Sequence, residues 1–240
     1  MSLRITQYGE AILLQKGKEI VSFDKTLSSL ANEMLEAMDE AEGIGLAAQQ
    51  IGQAIRFCVV DVPEHPDYPI NCILDGKRLA SSILMPMALA NPVVELLPSD
   101  EFFYEEGCLS FPEIRGDVAR PECIRVTYQD LDGVKHELEC DGLLARCIQH
   151  EVDHLNGILF IDRMEKKVYS EIKREVKDLK RRTLACLESG NLPTIPKKEL
   201  FIGKKCTYAV KYLRETNFNK SKCKISKELS KVFEKMGSGD

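Results

Sequence analysis

The chain has 240 residues, of which 44% are hydrophobic and 30% charged, and this composition is typical of a folded globular protein and excludes a fibrous or disordered one. No run of about 18 apolar residues occurs, and the first ten residues form neither a secretion signal nor an organelle presequence, so we expect a cytoplasmic protein without a membrane partner. Nine cysteines without any C-x-x-C pair predict thiols rather than a disulfide framework.

The net charge of −5 conceals two parts of opposite sign. Residues 1–162 carry 12 Lys and Arg against 28 Asp and Glu, a net charge of −16, whereas residues 163–240 carry 21 against 10, a net charge of +11. An acidic body does not favour nucleic acid. The basic part predicts contact with a polyanion such as RNA or with an acidic protein face, or else an arm that is solvated or folds back on the acidic body.

In the first hundred residues the pattern predicts one helix and two strands. Apolar residues follow the 3,4 spacing of an amphipathic helix over residues 27–38, after Asp24 as the N-cap. Residues 55–62 and 91–97 are typical of buried strands. Between them, residues 65–90 are rich in turn formers, and we expect a long excursion there.

The next hundred residues predict a hairpin and two helices. Residues 123–140 alternate apolar and polar positions on both sides of Asp132 and Gly133, a pair that predicts a tight turn with positive φ. Residues 143–156 predict a buried central helix, and residues 165–187 a charged helix with a narrow apolar stripe. We therefore expect an α+β fold, in which antiparallel β-sheets wrap around a central metal-binding helix and a C-terminal helix follows.

Two histidines of the predicted central helix, His150 and His154, are candidate metal ligands. Residues four apart on a helix share a face and lie about 6 Å apart along the axis, so both imidazoles can reach one ion. Glu151 follows the first histidine, and His-Glu-x-x-His is a pattern in which a carboxylate beside a metal ion takes a proton from bound water. With four histidines in 240 residues, the odds of a chance origin are well under about 1 in 100.

A catalytic tetrahedral ion needs a third protein ligand. Phe160 stands where the metzincin proteases have a third histidine, and a phenyl ring cannot coordinate. Glu165 as third ligand would make the chain a zincin-type metallopeptidase, which is the alternative function. Cys147 lies too far along the helix to share one ion with both histidines, which favours a place in a pocket wall. Cys108 follows a glycine that lets the backbone approach closely, and is the strongest candidate.

Three motifs, in this order, resemble the signature motifs of the bacterial-type peptide deformylase family: GIGLAAQQ (43–50), EGCLS (106–110) and QHEVDHL (149–155). The similarity extends from about Leu3 to Arg182. The resemblance implies a metal-dependent hydrolase that removes the N-terminal formyl group from formyl-methionine of nascent polypeptides. It also implies one divalent ion, with Fe2+ the expected physiological metal, although Zn2+, Ni2+ or Co2+ suit the same ligands.

The resemblance also implies a chemical role for each motif residue. The metal ligands would be Cys108, His150 and His154. A water molecule would take the fourth position, and Glu151 would accept its proton and return it to the departing amine. The side chain of Gln50 and the backbone N–H of Leu109 would stabilise the oxyanion.

By the same resemblance, residues around the metal would bind the formyl-methionyl peptide. The apolar pocket for the methionine side chain would be lined by Ile44, Leu143, Cys147 and the ring of His150. Gly45 and Gly107 would offer backbone hydrogen bonds, and Arg115 would reach the downstream peptide. Arg146 and Glu113 stand where the family often has an aliphatic residue and a glycine, and we expect them to alter the rim of the pocket.

Further expectations concern the division of the chain, its C-terminal helix, the support of the metal helix and a non-enzymatic alternative. Residues 1–187 are predicted to form the catalytic domain, and residues 188–240 a basic C-terminal extension of unknown role. The basic C-terminal helix matches in position the helix of bacterial deformylases that docks on the ribosome, so the resemblance implies a ribosomal partner. Arg120 is expected to pair with Asp153 and brace the metal helix. The non-enzymatic alternative is a structural zinc module with Cys147 as a fourth ligand.

Overall fold

The computed structural model describes residues 3–64 and 70–191, and within these ranges the chain forms nine strands, five α-helices and two 3-10 turns. The strands are β1 (Gly45–Ala47), β2 (Phe57–Val60), β3 (Cys72–Leu74), β4 (Lys77–Leu79), β5 (Met87–Leu96), β6 (Glu101–Cys108), β7 (Phe111–Pro121), β8 (Cys123–Gln129) and β9 (Lys135–Asp141). The helices are α1 (Lys25–Glu40), α2 (Ser81–Leu84), α3 (Gly142–Leu155), α4 (Phe160–Arg163) and α5 (Lys166–Glu188). The 3-10 turns are Ala11–Leu14 and Ala48–Ile51.

The strands form one large sheet and one ribbon. The large sheet has seven strands in the order β1-β2-β5-β8-β9-β3-β4, and β6 pairs with β7 as a separate two-stranded ribbon. Every pair of named strands is antiparallel. Helix α3 packs against the large sheet, and α5 packs against β7 of the ribbon. The predicted α+β fold is confirmed, with α3 in the centre and a C-terminal helix following it.

Helix α3 is buried along its whole length, as its sequence predicted. All 14 of its residues are buried, although six of them have polar or charged side chains. The helix begins after Asp141, whose carboxylate accepts hydrogen bonds from the backbone and side chain of Asn71 at 2.8 and 2.7 Å. It ends at Asn156 and Gly157, where the glycine adopts a φ of 73°. Most polar side chains of α3 have hydrogen-bond partners inside the protein, whereas Glu151 Oε2 and His154 Nδ1 have none among the described residues.

The two other long helices each bury one face. Asp24 caps α1 as predicted, because its side chain accepts hydrogen bonds from the N–H groups of Thr26 and Leu27. The apolar stripe of α1 packs on the first strands of the large sheet. Helix α5 buries Val176 and Leu179, and leaves most of its charged side chains exposed. Neither helix contributes a group to the proposed metal site.

Two predicted elements differ from the structure. The expected excursion contains β3, β4 and α2, and β3 extends the large sheet by pairing with β9; residues 65–69 lie outside the described residues. Strands of three residues are too short to show a period of two, so the sequence pattern did not reveal them.

The turn between β8 and β9 has positive φ at Gly133 alone, and Asp130 accepts from the N–H groups of Asp132 and Val134. The predicted hairpin is confirmed, but its loop spans residues 130–134 and is longer than the tight turn that was expected.

The expectation of free thiols holds at six described cysteines, namely Cys58, Cys72, Cys108, Cys140, Cys147 and Cys186. It fails at Cys123, which is disulfide-bonded. Cysteine spacing without a repeated motif argued against a disulfide framework, but it does not exclude a single bridge. Among the described helices, none is both long and apolar enough to cross a membrane.

Candidate active site

Three predicted metal ligands converge from two elements of the fold. Cys108 ends β6, whereas His150 and His154 lie on α3. One ligand atom from each of the three lies within 4.8 Å of the others, and Cys108 Sγ is 3.2 Å from His154 Nε2. Two ligand atoms on one tetrahedral ion, each about 2.0–2.3 Å from it, stand roughly 3.5 Å apart. The three side chains therefore fit a single divalent ion.

The ribbon presents the thiol through an irregularity at the end of β6. Its register is regular from Glu101 to Gly107 and then shifts, so that Cys108 pairs with Phe111 across a tight connection. Such a shift turns the strand and redirects the side chain that follows. As a result, a residue from a two-stranded ribbon meets the buried helix that carries the histidines.

The orientation of His150 is set by a buried carboxylate that the sequence interpretation did not single out. The His150 Nδ1 atom lies 3.0 Å from Glu106 Oε2, and Glu106 is 2% exposed. If Nδ1 carries the proton and donates it to this carboxylate, Nε2 keeps a lone pair for a cation. Glu106 is the first residue of the EGCLS motif, and its position there was the available signal for a functional role.

The electrostatic environment suits a positive charge at this place. Burial opposes ionisation of Glu106, but Arg120 and His150 outweigh it and hold the pKa of that carboxyl well below its usual range. Burial also opposes the charged form of His150, yet Cys108 and Glu106 raise its pKa. Burial lowers the pKa of His154 and favours the neutral imidazole that a metal ion binds. The Nδ1 atom of His154 has no hydrogen-bond partner among the described residues.

Arg120 joins the carboxylate behind His150 to a second carboxylate of α3. Its Nε and NH2 atoms donate to Glu106 at 2.6 and 3.0 Å, and its NH1 atom donates to Asp153 Oδ2 at 2.8 Å. The predicted pairing of Arg120 with Asp153 is thus confirmed. Asp153 also accepts from Arg163, at 2.6 Å for NH2. The metal helix is therefore braced from β7 and from α4.

Glu151, next to the first histidine, has the setting of an acid–base group. It is 4% exposed, and burial raises the pKa of its carboxyl to about 7. Its Oε2 atom has no hydrogen-bond partner within the described part of the chain. Gly45 allows this placement, because a Cβ there would collide with Glu151 Oε1 and would lie 2.8 Å from Cys147 Sγ. A carboxylate with a free oxygen and a pKa near neutrality can accept and return a proton.

Gln50 lies within reach of the same centre. Its Oε1 atom accepts a hydrogen bond from the N–H of Ala47 at 2.8 Å, which fixes the direction of the amide. Its Nε2 atom then points to Ser110 Oγ at 3.3 Å and to Cys108 Sγ at 3.4 Å. A buried amide whose donor faces the thiol is placed to donate to an oxyanion formed there.

The predicted pocket residues lie next to one another. Leu143 and Cys147 belong to one buried apolar cluster, and Ile44 packs against it. The Cys147 thiol donates to the carbonyl of Ile44 at 3.3 Å. The other residues of the predicted peptide site lie on the ribbon, just after it, or on β1. Gly107 pairs with Arg115 across β6 and β7, Gly45 pairs with Val60, and Leu109 is half-buried after Cys108.

The two alternative ligands stand apart from the metal group. Among the described residues, the group able to hold an ion consists of Cys108, His150 and His154. Glu165 is exposed at the N-cap of α5, and Cys147 lies in the apolar cluster. Within the described part of the chain, the arrangement therefore favours three protein ligands and an open position, as in catalytic rather than structural sites.

The two residues that depart from the family pattern differ in burial: one lies inside the protein and the other at its surface. Arg146 was expected at the pocket rim, but it is 4% exposed and donates to Glu106 Oε1 at 2.7 Å. The sequence placed it on the correct helix, but did not reveal which carboxylate it faces. Glu113 is exposed and adopts a φ of 63°, a backbone conformation that glycine takes without strain.

Comparison with known proteins identifies the family to which this arrangement belongs. The family model described as polypeptide deformylase matches residues 2–169. The chain belongs to the peptide deformylase family. The peptide deformylase of Opitutus terrae is 55% identical over 188 residues, which cover 77% of this chain and 96% of that protein. Peptide deformylase 2 of Gloeobacter violaceus is 43% identical and covers 69% and 81%.

Solved structures agree with this membership. A plant peptide deformylase matches with a TM-score of 0.66 and 31% identity, over 80% of this chain and 96% of the other. The peptide deformylase of Thermotoga maritima matches with a TM-score of 0.59 and 36% identity, over 69% and 99%. The chain is therefore a metal-dependent hydrolase with deformylase activity, and the zincin reading is not favoured.

Proposed function

We propose that the enzyme removes the formyl group from the N-terminal formyl-methionine of nascent polypeptides at the centre formed by Cys108, His150 and His154. The observation that carries this proposal is the convergence of one thiol and two imidazoles beside the buried carboxylate of Glu151. A structural metal site does not need a buried carboxylate that accepts protons next to its ligands, whereas hydrolysis by a metal-bound water needs such a general base.

The three ligands suit Fe2+, which we propose as the physiological metal, and Zn2+, Ni2+ or Co2+ as substitutes. A divalent ion held there would lower the pKa of a bound water molecule and polarise the formyl carbonyl. Cys108 would supply the sulfur ligand, and burial, which lowers the pKa of His154, favours its neutral form. Glu106 holds the ring of His150 by its hydrogen bond to Nδ1.

Glu151 is proposed as the general base and then the general acid. Its ionised form accepts a proton from the attacking water, and its protonated form returns that proton to the departing amine of methionine. A carboxyl with a pKa near neutrality is suited to both steps, because both forms are populated near pH 7. Gln50 Nε2 and the backbone N–H of Leu109 are proposed to donate to the oxyanion.

The peptide is proposed to bind along the ribbon edge with its first side chain in the apolar cluster. Ile44, Leu143 and Cys147 would contact the methionine side chain. The backbones of Gly45 and Gly107 would hydrogen-bond to the peptide, and Arg115 would contact its downstream part. Glycine at these two positions is consistent with close approach of a second backbone.

The activity test compares deformylation with peptide cleavage. The protein is purified without oxygen, its bound metal is counted, and formate release from a formyl-methionyl peptide is assayed beside cleavage of an unformylated peptide. Glu151→Gln is expected to lower kcat by about 10²–10⁴-fold with the metal retained. Glu165→Gln is the matched control, and is expected to keep both activity and metal. Cleavage of the unformylated peptide, or loss of metal in the control, would contradict the proposal.

The ligand test uses two cysteines of the same site. Cys108→Ala is expected to abolish tight metal binding, because it leaves two imidazoles to hold the ion. Cys147→Ala is expected to keep the metal, since its thiol donates to a carbonyl and lies outside the ligand group. Metal loss in the Cys147 variant would instead indicate a closed structural site.

Residues 1–187 as catalytic domain and residues 188–240 as a basic extension remain predictions, as does a cytoplasmic location. So does a ribosomal partner, which the exposed basic residues of α5 support by their charge. We expect ribosome co-sedimentation that weakens as the salt concentration rises. Association that is absent or independent of salt would contradict this expectation.

A further inference from the structure

Arg146 lies on the face of α3 that carries a metal ligand. It precedes His150 by four residues, so the two side chains are neighbours on the helix surface. Both contact the same buried carboxylate: Arg146 NH1 is 2.7 Å from Glu106 Oε1, and His150 Nδ1 is 3.0 Å from Glu106 Oε2. The geometry points to Arg146 as a positioning residue for His150, acting through Glu106. This inference rests on the metal site of the proposed function.

Arg120 is shared between two buried carboxylates, Glu106 and Asp153. It donates to both oxygens of Glu106, but its NH1 atom is committed to Asp153, so one guanidinium serves two buried carboxylates. Asp153 has a second guanidinium partner in Arg163. Arg146 gives Glu106 the corresponding second partner, so that each buried carboxylate has two.

Arg146 also ties the metal helix to the ribbon that carries the thiol. Its NH1 atom donates to the carbonyl of Val118 on β7 at 3.1 Å, and its NH2 atom donates to the carbonyl of Phe102 on β6 at 2.6 Å. Strand β6 ends at Cys108. One guanidinium therefore links α3, which carries the two imidazoles, to β6, which ends at Cys108, and to the carboxylate that orients His150. An aliphatic residue at this position cannot donate any of these bonds.

Loss of Arg146 should weaken metal affinity in addition to its effect on stability. A loosely held Glu106 lets the His150 ring rotate, and the ligand geometry then has to be restored when the ion binds. Loss of a partner behind a metal ligand typically weakens metal affinity or activity by about 10–100-fold. Removal of Arg146 should therefore weaken metal binding more than removal of an arginine elsewhere in the molecule does.

The test measures Zn2+ affinity by competition with a coloured chelator, and the visible spectrum of the Co2+-loaded protein. Arg146→Met is expected to weaken Zn2+ binding by about 10–100-fold and to shift the Co2+ bands. Arg146→Lys keeps the charge and one bond to Glu106, and is expected to restore part of the affinity. Arg125→Met removes an arginine of the large sheet that bonds Glu95 and Glu139, and is expected to bind Zn2+ like the unmodified protein.

A folded Arg146→Met variant with the affinity and Co2+ spectrum of Arg125→Met would overturn the inference. If Arg146→Met does not fold, the Lys variant decides: weakened Zn2+ binding supports the inference, and unchanged binding overturns it. These measurements need no peptide, so they separate the inference from the proposed reaction. A protein that binds Zn2+ tightly but releases no formate contradicts the proposed reaction alone, whereas a protein that binds no divalent ion contradicts both.

Discussion

Two ionic clusters of similar chemistry lie in different surroundings. The inner network consists of Glu106, Arg120, Arg146, Asp153 and Arg163, behind the metal site. The outer network joins Arg125 of the large sheet to Glu95, Glu137 and Glu139. Their shortest contacts are alike, at 2.6 Å for Arg120 with Glu106 and 2.5 Å for Arg125 with Glu139. Their exposure differs, since the Arg120 side chain is 5% exposed and the Arg125 side chain 27%.

The contrast indicates that burial, rather than bond length, sets what each network does. In water an ion pair gains little, because solvent screens it and two long side chains must be ordered. Inside the protein, removal of one partner leaves an uncompensated charge, which costs far more than the pair itself contributed. A single substitution in the inner network should therefore lower the free energy of unfolding strongly, whereas one in the outer network should change it little. Substitution of one arginine at a time tests this ranking.

Arg120→Met is expected to have the largest effect. It leaves Glu106 and Asp153 with fewer cationic partners inside the protein, and breaking a buried pair in this way costs about 3–5 kcal/mol. Urea unfolding of the metal-loaded protein measures the loss, and metal content should fall as well. A loss of less than about 1 kcal/mol, with metal and activity unchanged, would show that this network does not brace the site.

Arg163→Met is expected to have an intermediate effect. Arg163 donates two bonds to Asp153, whose side chain is 8% exposed, but Arg163 itself is 46% exposed and Asp153 keeps Arg120. Solvent screening reduces the value of such a pair, so we expect a loss of roughly 1–2 kcal/mol in the free energy of unfolding. A loss equal to that of Arg120→Met would mean that exposure does not rank these contacts.

The inner network also shows how far the sequence alone could lead. The 3.6-residue period and the His-Glu-x-x-His spacing predicted α3 and its two ligands, because those patterns are local. The pairing of Arg120 with Asp153 was also predicted. The contact of Arg146 with Glu106 was not, because Arg146 was expected at the pocket rim and the EGCLS motif does not indicate which cation its glutamate faces.

The same limit applies to the large sheet. Strands β2 and β5 were recognised from apolar runs, whereas β3 and β4 are only three residues long and show no period. Strand β3 is held by its pairing with β9. Tertiary pairing rather than local propensity thus determines that part of the sheet.

Arg125→Met tests whether the outer network contributes little to stability. Its carboxylate partners Glu95 and Glu137 have side chains 64% and 56% exposed, and Glu139, the nearest, is 18% exposed, so solvent reaches each of these charges when the arginine is removed. We expect a loss of about 1 kcal/mol or less in urea unfolding, with metal content and formate release unchanged. A loss near that of Arg120→Met would contradict the proposed ranking by burial.

The smallest effect should be a pH-dependent one, at a third ionic cluster near the ends of two hairpins. The His136 ring bonds Asp75 and Asp130 at 2.7 and 3.2 Å, and the Asp75 bond, together with Asp130, raises the pKa of His136 against the opposing effect of burial. A raised folded-state pKa means that this stabilisation is complete below the unfolded pKa of about 6.5, and is lost as the pH rises through the folded value.

Urea unfolding at pH 6 and pH 8.5 therefore tests His136 against His136→Gln. The difference in the free energy of unfolding between the two proteins should shrink toward high pH, by about 0.5 kcal/mol or less because the cluster is partly hydrated. Taking the difference removes the titration of the groups that both proteins share, including the metal ligands. A difference that grows with pH would show that the histidine is held in its neutral form, which would reverse the sign assigned to this cluster.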